Sequence, residues 1–282
     1  METLVTSPPP FFIIGCNASG TTAVVRILDL APNATVYVEQ PPKLCIEARH
    51  LHLGRLEDPE AVLREKAGTW PHDVMQNGKR VYGDKNPNYL LFIPYLRKLW
   101  AARFIFVIRD GREVVRSILS GRALARGGFF SMKEDDPASS VASADEDWWD
   151  YSRLRPRPGE QLHERWRDLS RFEKTCWYWA EFNRILIEKA QALPCEAYRI
   201  VHIDRNPVSA FERGYRFLGL AGFDAASVRR MISRRINSTK EKYDIAHDFP
   251  HYREWSAEQR SIFEKHAGER MAQLGYDCRW DK

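Results

Sequence analysis

Nowhere in the 282 residues does an apolar run approach the roughly 18 that a bilayer span needs, so no membrane span is expected. Residues 1–10 hold no basic segment followed by an apolar one, the pattern of a cleaved secretory signal. Cysteine is scarce and scattered: Cys16, Cys45, Cys176, Cys195 and Cys278 form no CxxC pair, and no Cys/His cluster has zinc spacing. The set reads as reduced thiols in a cytoplasmic protein. A strong charge of either sign is also missing, since 43 Lys and Arg face 38 Asp and Glu for a net +5. That balance suits an anionic small ligand and makes no case for a nucleic-acid partner. Neither an internal repeat nor a domain boundary stands out, and 44% hydrophobic residues give ample core, so one domain over 1–282 is expected. The oligomeric state is not legible.

One further absence is a single residue. Gly15 and Gly20 have the G-x-x-x-x-G spacing of a phosphate loop, but the lysine expected next is Thr21. Phe11-Phe12-Ile13-Ile14 before the loop reads as a short buried strand, and an apolar helical pattern follows from Thr21. A strand, a glycine turn and a helix N-terminus bring unpaired N–H groups and a positive helix end together, which makes an anion site.

The rest of the chain alternates in the same way. A β-like run at 36–38 delivers Glu39, and a strand at 79–83 leads to Asp84-Lys85-Asn86-Pro87. A helix is expected at 89–99 and the clearest buried strand at 103–108, with Arg109-Asp110-Gly111 at its carboxyl end and helical spacing over 113–119. Alternation of this kind implies an α/β fold with a central parallel sheet flanked by helices. Ligands of such sheets bind outside the carboxyl ends of strands, where the loop, Glu39, Lys85 and Arg109 all fall. The pattern fails over 122–160, a variable insertion with the acidic clusters Glu134-Asp135-Asp136 and Asp145-Glu146-Asp147 beside Trp148-Trp149. The tryptophan pair reads either as a lid over an acceptor or as packing on the body. Helix returns over 162–192, where the recurring aromatics read as core rather than as a substrate box. A strand at 197–202, helices at 211–220 and 227–236, a polar loop at 237–249 and a terminal helix at 256–274 complete the chain.

Without its lysine the loop still holds a diester-like phosphate through N–H and hydroxyl groups, but it is poorly equipped for metal-assisted γ-phosphoryl transfer. A P-loop kinase is therefore the weaker alternative. Gly15-x-x-x-Ser19-Gly20-Thr21-Thr22 resembles the 5′-phosphosulfate loop of sulfotransferases that use 3′-phosphoadenosine 5′-phosphosulfate (PAPS). Arg109-Asp110-x6-Ser117 resembles that family's second signature, whose arginine and serine bind the 3′-phosphate, and Gly83-Asp84-Lys85-Asn86-Pro87 resembles its G-[DE]-K-x-P segment. Phe217-Leu218-Gly219-Leu220 and Asn237-Ser238-Thr239-Lys240 resemble its late helix end and cofactor-covering tail. The likeness runs from about 11 to 276 and is nearest to the tyrosylprotein and carbohydrate branches, in a bacterial-type form.

The resemblance implies a P-loop-like sulfotransferase fold and in-line transfer of a sulfuryl group from PAPS to a hydroxyl, or less favourably an amine. The product would be adenosine 3′,5′-bisphosphate (PAP), and no metal would be required. Glu39 becomes the general base, Lys85 the cation that stabilises developing charge, and Asp84 the residue that orients Lys85 or itself acts as base. Gly15, Asn17, Ala18, Ser19, Gly20, Thr21, Thr22, Arg109, Ser117, Ser238 and Lys240 become cofactor-binding residues. The sequence departs from the family at Ala18, where a basic residue is usual. This keeps a third reading open, a nucleotide-binding protein without turnover. The acceptor, a small-molecule or carbohydrate-like hydroxyl compound, is set by the variable segments 43–78 and 122–160. Their acidic clusters favour a cationic or neutral acceptor over a polyanion.

Overall fold

Phe11 to Ile14 and Phe104 to Ile108 carry apolar side chains toward both faces of whatever sheet they join, which is stable only if both faces are covered. The computed structural model, which describes residues 8–39, 44–67, 79–120, 153–205, 207–233 and 249–280, meets that requirement. Strands β1 (Phe11–Gly15), β2 (Ala34–Val38), β3 (Val81–Lys85), β4 (Arg103–Ile108) and β5 (Tyr198–His202) form one sheet in the order β2-β3-β1-β4-β5, and every pair is parallel. Side chains alternate along β1: Phe12 and Ile14 enter one core, Phe11 and Ile13 the other, and all four are fully buried.

Three helices cover the second of these faces: α1 (Thr21–Leu28), α7 (Pro207–Leu218) and α8 (Ala225–Ser233). The first face is deeper and takes α2 (Leu44–His52), α3 (Pro59–Ala67), α4 (Tyr89–Trp100), α5 (Gly111–Leu119), α6 (Arg171–Gln191) and α9 (Ala257–Gln273). Trp166, Phe172, Trp179 and Phe182 are buried there, so the aromatics of 162–182 do pack as core. Each fully buried large apolar side chain contributes roughly 1.5–3 kcal/mol. Local signals fix the long helices: the Ser170 hydroxyl accepts from the Glu173 N–H at 3.1 Å, and Ser256 and Gln259 form a reciprocal capping box. Among the described residues no helix is long and apolar enough to cross a membrane.

Strand order positions the site. From β1 the chain runs out to β2 at the edge and returns to β3 beside β1, then crosses over β1 to β4 and β5. The reversal opens a crevice at the carboxyl ends of β1 and β4, beneath the first turns of α1 and α5. Most of the insertion, the loop at 237–248 with Ser238 and Lys240, Trp148-Trp149 and the Pro41-Pro42 break lie outside the described residues.

Candidate active site

Five parallel strands bring their carboxyl ends to one edge of the sheet, and the charged candidates among the described residues sit at three of them, with the glycine loop at a fourth. After β1 the chain folds back so tightly that a Cβ on Gly15 would lie 2.6 Å from the Ser19 hydroxyl and 2.8 Å from the Val107 carbonyl, so only glycine fits. Gly20, at φ 91°, occupies the N-cap of α1 and leaves that helix without a side-chain cap, and its first turn holds no acid. The N–H groups of Thr21 and Thr22 belong to this turn, where no intrahelical acceptor exists for them. The Ser19 hydroxyl is buried with no hydrogen-bond partner among the described residues. A buried hydroxyl left unpaired costs about 1–3 kcal/mol, which an anion in the loop would relieve. A tight glycine cradle, free helix N–H groups and an orphan hydroxyl fit the phosphosulfate end of PAPS.

Across the crevice, Arg109 leaves the end of β4. Its guanidinium donates to the Ala18 carbonyl at 3.0 Å and to Glu113 at 3.3 Å, which ties the β4 turn to the loop and keeps a partly exposed cation beside it. Ser117 lies one helical turn past Glu113, exposed and without a hydrogen bond among the described residues. Asp110 caps α5 through the Arg112 N–H at 2.8 Å, and its own N–H donates to Asp204 at 2.9 Å.

On the other side of the loop, the Lys85 ammonium donates to the Glu39 carboxylate at 2.7 Å, with both side chains largely buried. Val38 is in register with Lys85 at the ends of β2 and β3, and the Glu39 N–H, one residue on, extends the ladder to the Lys85 carbonyl at 2.9 Å. Asp84 is fully buried. One oxygen accepts the Lys85 backbone N–H at 2.8 Å and the other the Tyr89 hydroxyl at 2.5 Å, so it holds the main chain of Lys85. Burial first, and then the Asp84 charge, hold the Tyr89 hydroxyl well above its ordinary pKa, and it remains a donor.

The structure therefore brings the loop, Glu39, Lys85, Asp84 and Arg109 to one edge, with Ser117 on the helix face that Arg109 reaches through Glu113. Ser238 and Lys240 lie outside the described residues. Sequence reasoning missed four contributors. The Tyr178 hydroxyl donates to the Asn17 side chain at 2.6 Å, Ile203 packs 3.4 Å from where a Gly20 Cβ would be, and Asp204 and Tyr276 brace the Arg109 turn. Only the tight Gly-Tyr end at 275–276 carried a local signal, since the others act across more than ninety residues.

A sulfotransferase-family model matches residues 9–173. No curated protein matches the chain significantly. Among solved structures, a mouse sulfotransferase, SULT7A1, complexed with PAP, is similar with a TM-score of 0.50 at 13% identity, over 93% of this chain and 84% of that one. A sulfotransferase from Alicyclobacillus acidocaldarius gives a TM-score of 0.47 at 15% identity, over 97% and 99%. The likeness to the mouse sulfotransferase supports the fold, a central parallel sheet flanked by helices. With the family model spanning more than half of its length, this chain belongs to the sulfotransferase family.

Proposed function

We propose that this protein transfers a sulfuryl group from PAPS to the hydroxyl of a small acceptor. The observation that carries the reading is the Lys85–Glu39 pair, 2.7 Å apart, at the strand ends flanking a glycine loop whose buried Ser19 hydroxyl has no partner among the described residues. Bound PAPS supplies the activated sulfuryl group. Gly15, Asn17, Ala18, Ser19, Gly20, Thr21 and Thr22 hold its 5′ end through N–H and hydroxyl groups, while Arg109 and Ser117 hold the 3′-phosphate by charge-assisted bonds.

Glu39 accepts the proton of the acceptor hydroxyl, a task its position on the ladder beside Lys85 prepares. Lys85 places a fixed ammonium where negative charge develops, and Asp84 keeps the Lys85 main chain in place. Arg109 offers a second cation across the crevice, and its bond to the Ala18 carbonyl puts a guanidinium next to the position where the resemblance leads one to expect a basic side chain.

Calorimetric titration of the full chain with PAP tests the cofactor half of this reading. Micromolar binding is expected, with a loss of about tenfold or more in Arg109→Ala. No binding by the intact protein, or equal binding by the variant, would reject it.

A further inference from the structure

Helix α6 reaches both phosphate-binding turns with two neighbouring side chains. Trp179 is fully buried and packs so closely on the start of α5 that a Cβ on Gly111 would lie 2.9 Å from its ring. Tyr178, one residue earlier, extends to the loop after β1, where its hydroxyl donates to Asn17 Oδ1 at 2.6 Å. The helix is itself held, by the Ser170 cap at its start and by the Glu173 bonds to α9. One anchored helix thus braces the loop after β1 and the turn after β4.

A carboxamide has an oxygen that repels an anion and an N–H pair that binds one, so its orientation decides what Asn17 does in an anion loop. The bond to Tyr178 sets that orientation. Burial, foremost, pushes the Tyr178 pKa well above its ordinary value, so the hydroxyl keeps its proton, while the Arg153 charge and the Asn17 backbone N–H bear on its oxygen. A hydroxyl oxygen facing a cation and an N–H has its hydrogen left to give, and Asn17 Oδ1 takes it. Oδ1 is thereby turned to the protein body, and Asn17 Nδ2 makes no hydrogen bond among the described residues. Asn17 and Pro87 border one small cavity with room for little more than a water, which places Asn17 on the side of the loop toward the Lys85 turn.

We propose that Tyr178 is a positioning residue for the donor, holding the Asn17 carboxamide so that Nδ2 donates to the sulfuryl end of PAPS. The inference rests on the sulfotransferase reading and gives the loop a neutral donor beside Ala18, where the expected basic side chain is missing. A hydrogen bond to a charged group is worth roughly tenfold to a hundredfold in affinity, provided its donor is already aimed. PAP lacks the sulfuryl group, so it makes every donor contact except this one.

Calorimetric titration of the full chain with PAPS and with PAP, no acceptor present, reads the contact as the ratio of the two affinities. Tyr178→Phe keeps the ring and its edge contact with Phe182, and should lower that ratio about tenfold while PAP affinity stays within a factor of a few. Asn17→Ala removes the amide without touching α6 and should lower the ratio at least as far. Adding Tyr178→Phe to Asn17→Ala should lower it no further, since Tyr178 acts through the amide. An unchanged ratio in either single variant, equal losses for PAPS and PAP in Tyr178→Phe, or a further loss in the double variant would overturn the proposal and leave the cofactor reading intact. Failure of the parent protein to bind PAP would instead remove the reading beneath it.

Discussion

Glu39 holds φ at 56° although it is not glycine, and Ala18 in the phosphate loop does the same at 64°. Left-handed backbone costs an L-residue about 1–2 kcal/mol, so each position persists because its surroundings over-determine it. At Glu39 the constraints are the backbone bond to Lys85 and the ion pair with the same residue, which together aim the carboxylate along the strand ends. Glu39→Gln separates the ion pair from the proposed base role, because the amide oxygen still accepts from the Lys85 ammonium but takes no proton. Transfer is expected to fall by about 10²–10⁴, with PAP affinity unchanged. A rate within a factor of a few of the parent would mean that Glu39 only positions Lys85 and that another group accepts the proton.

The pairing of α6 with α9 shows how one side chain can set the acid stability of a helix interface. Glu173 stands in the first turn of α6, where the helix dipole favours an anion, and it accepts from His266 at 2.7 Å and from Lys265 at 3.3 Å, both on α9. Burial works against its ionisation, but the His266 and Lys265 bonds outweigh it and hold the carboxyl below its ordinary 4.5. A folded-state pKa below the unfolded one contributes stability that is present above about 4.5 and is lost as pH falls through the lowered value. Glu173→Gln should therefore lower Tm near pH 7, and the gap to the parent should close as pH falls below about 4.5, as scanning calorimetry would show. A gap of constant size would assign the effect to packing. This interface was not legible beforehand, because helical spacing gives the apolar face of each helix and nothing about its partner. Continuous apolar runs were legible: β4 occupies the residues that its hydrophobicity marks, since burial on both faces leaves no other reading. Helix α7 starts at Pro207 rather than at 211, as proline suits the first helical turn, where its missing N–H costs nothing. The candidate site was legible to the extent that alternation puts strand ends on one edge. Tyr178 was not, since no local pattern links residue 17 to residue 178.

Across the whole molecule, the last described residues return to the middle of the chain and fasten it. The Tyr276 hydroxyl donates to Asp204 at 2.8 Å, and the other Asp204 oxygen accepts the Asp110 N–H at 2.9 Å, so a tail residue reaches the Arg109 turn through one carboxylate. His202, at the end of β5, is bonded to the same hydroxyl at 3.2 Å, and Arg205 lies 3.9 Å over the ring while donating to the Gly275 carbonyl at 2.7 Å. One residue further along α5, Arg112 holds the Arg279 carbonyl at 2.8 Å. Burial first, and then the Asp204 charge, push the Tyr276 hydroxyl far above its ordinary pKa, so it stays a donor across any working pH. This arrangement couples the carboxyl end of β4 to a segment more than 160 residues away in sequence. Tyr276→Phe keeps the ring and the Arg205 contact but leaves Asp204 with one partner fewer, at a cost of about 1 kcal/mol in unfolding free energy. If the tail sets the Arg109 turn, PAP affinity should fall by about threefold to tenfold as well, a loss that thermal unfolding alone would not reveal. Stability lost with PAP affinity intact would mean that β4 and its register with β5 fix the turn without help from the tail.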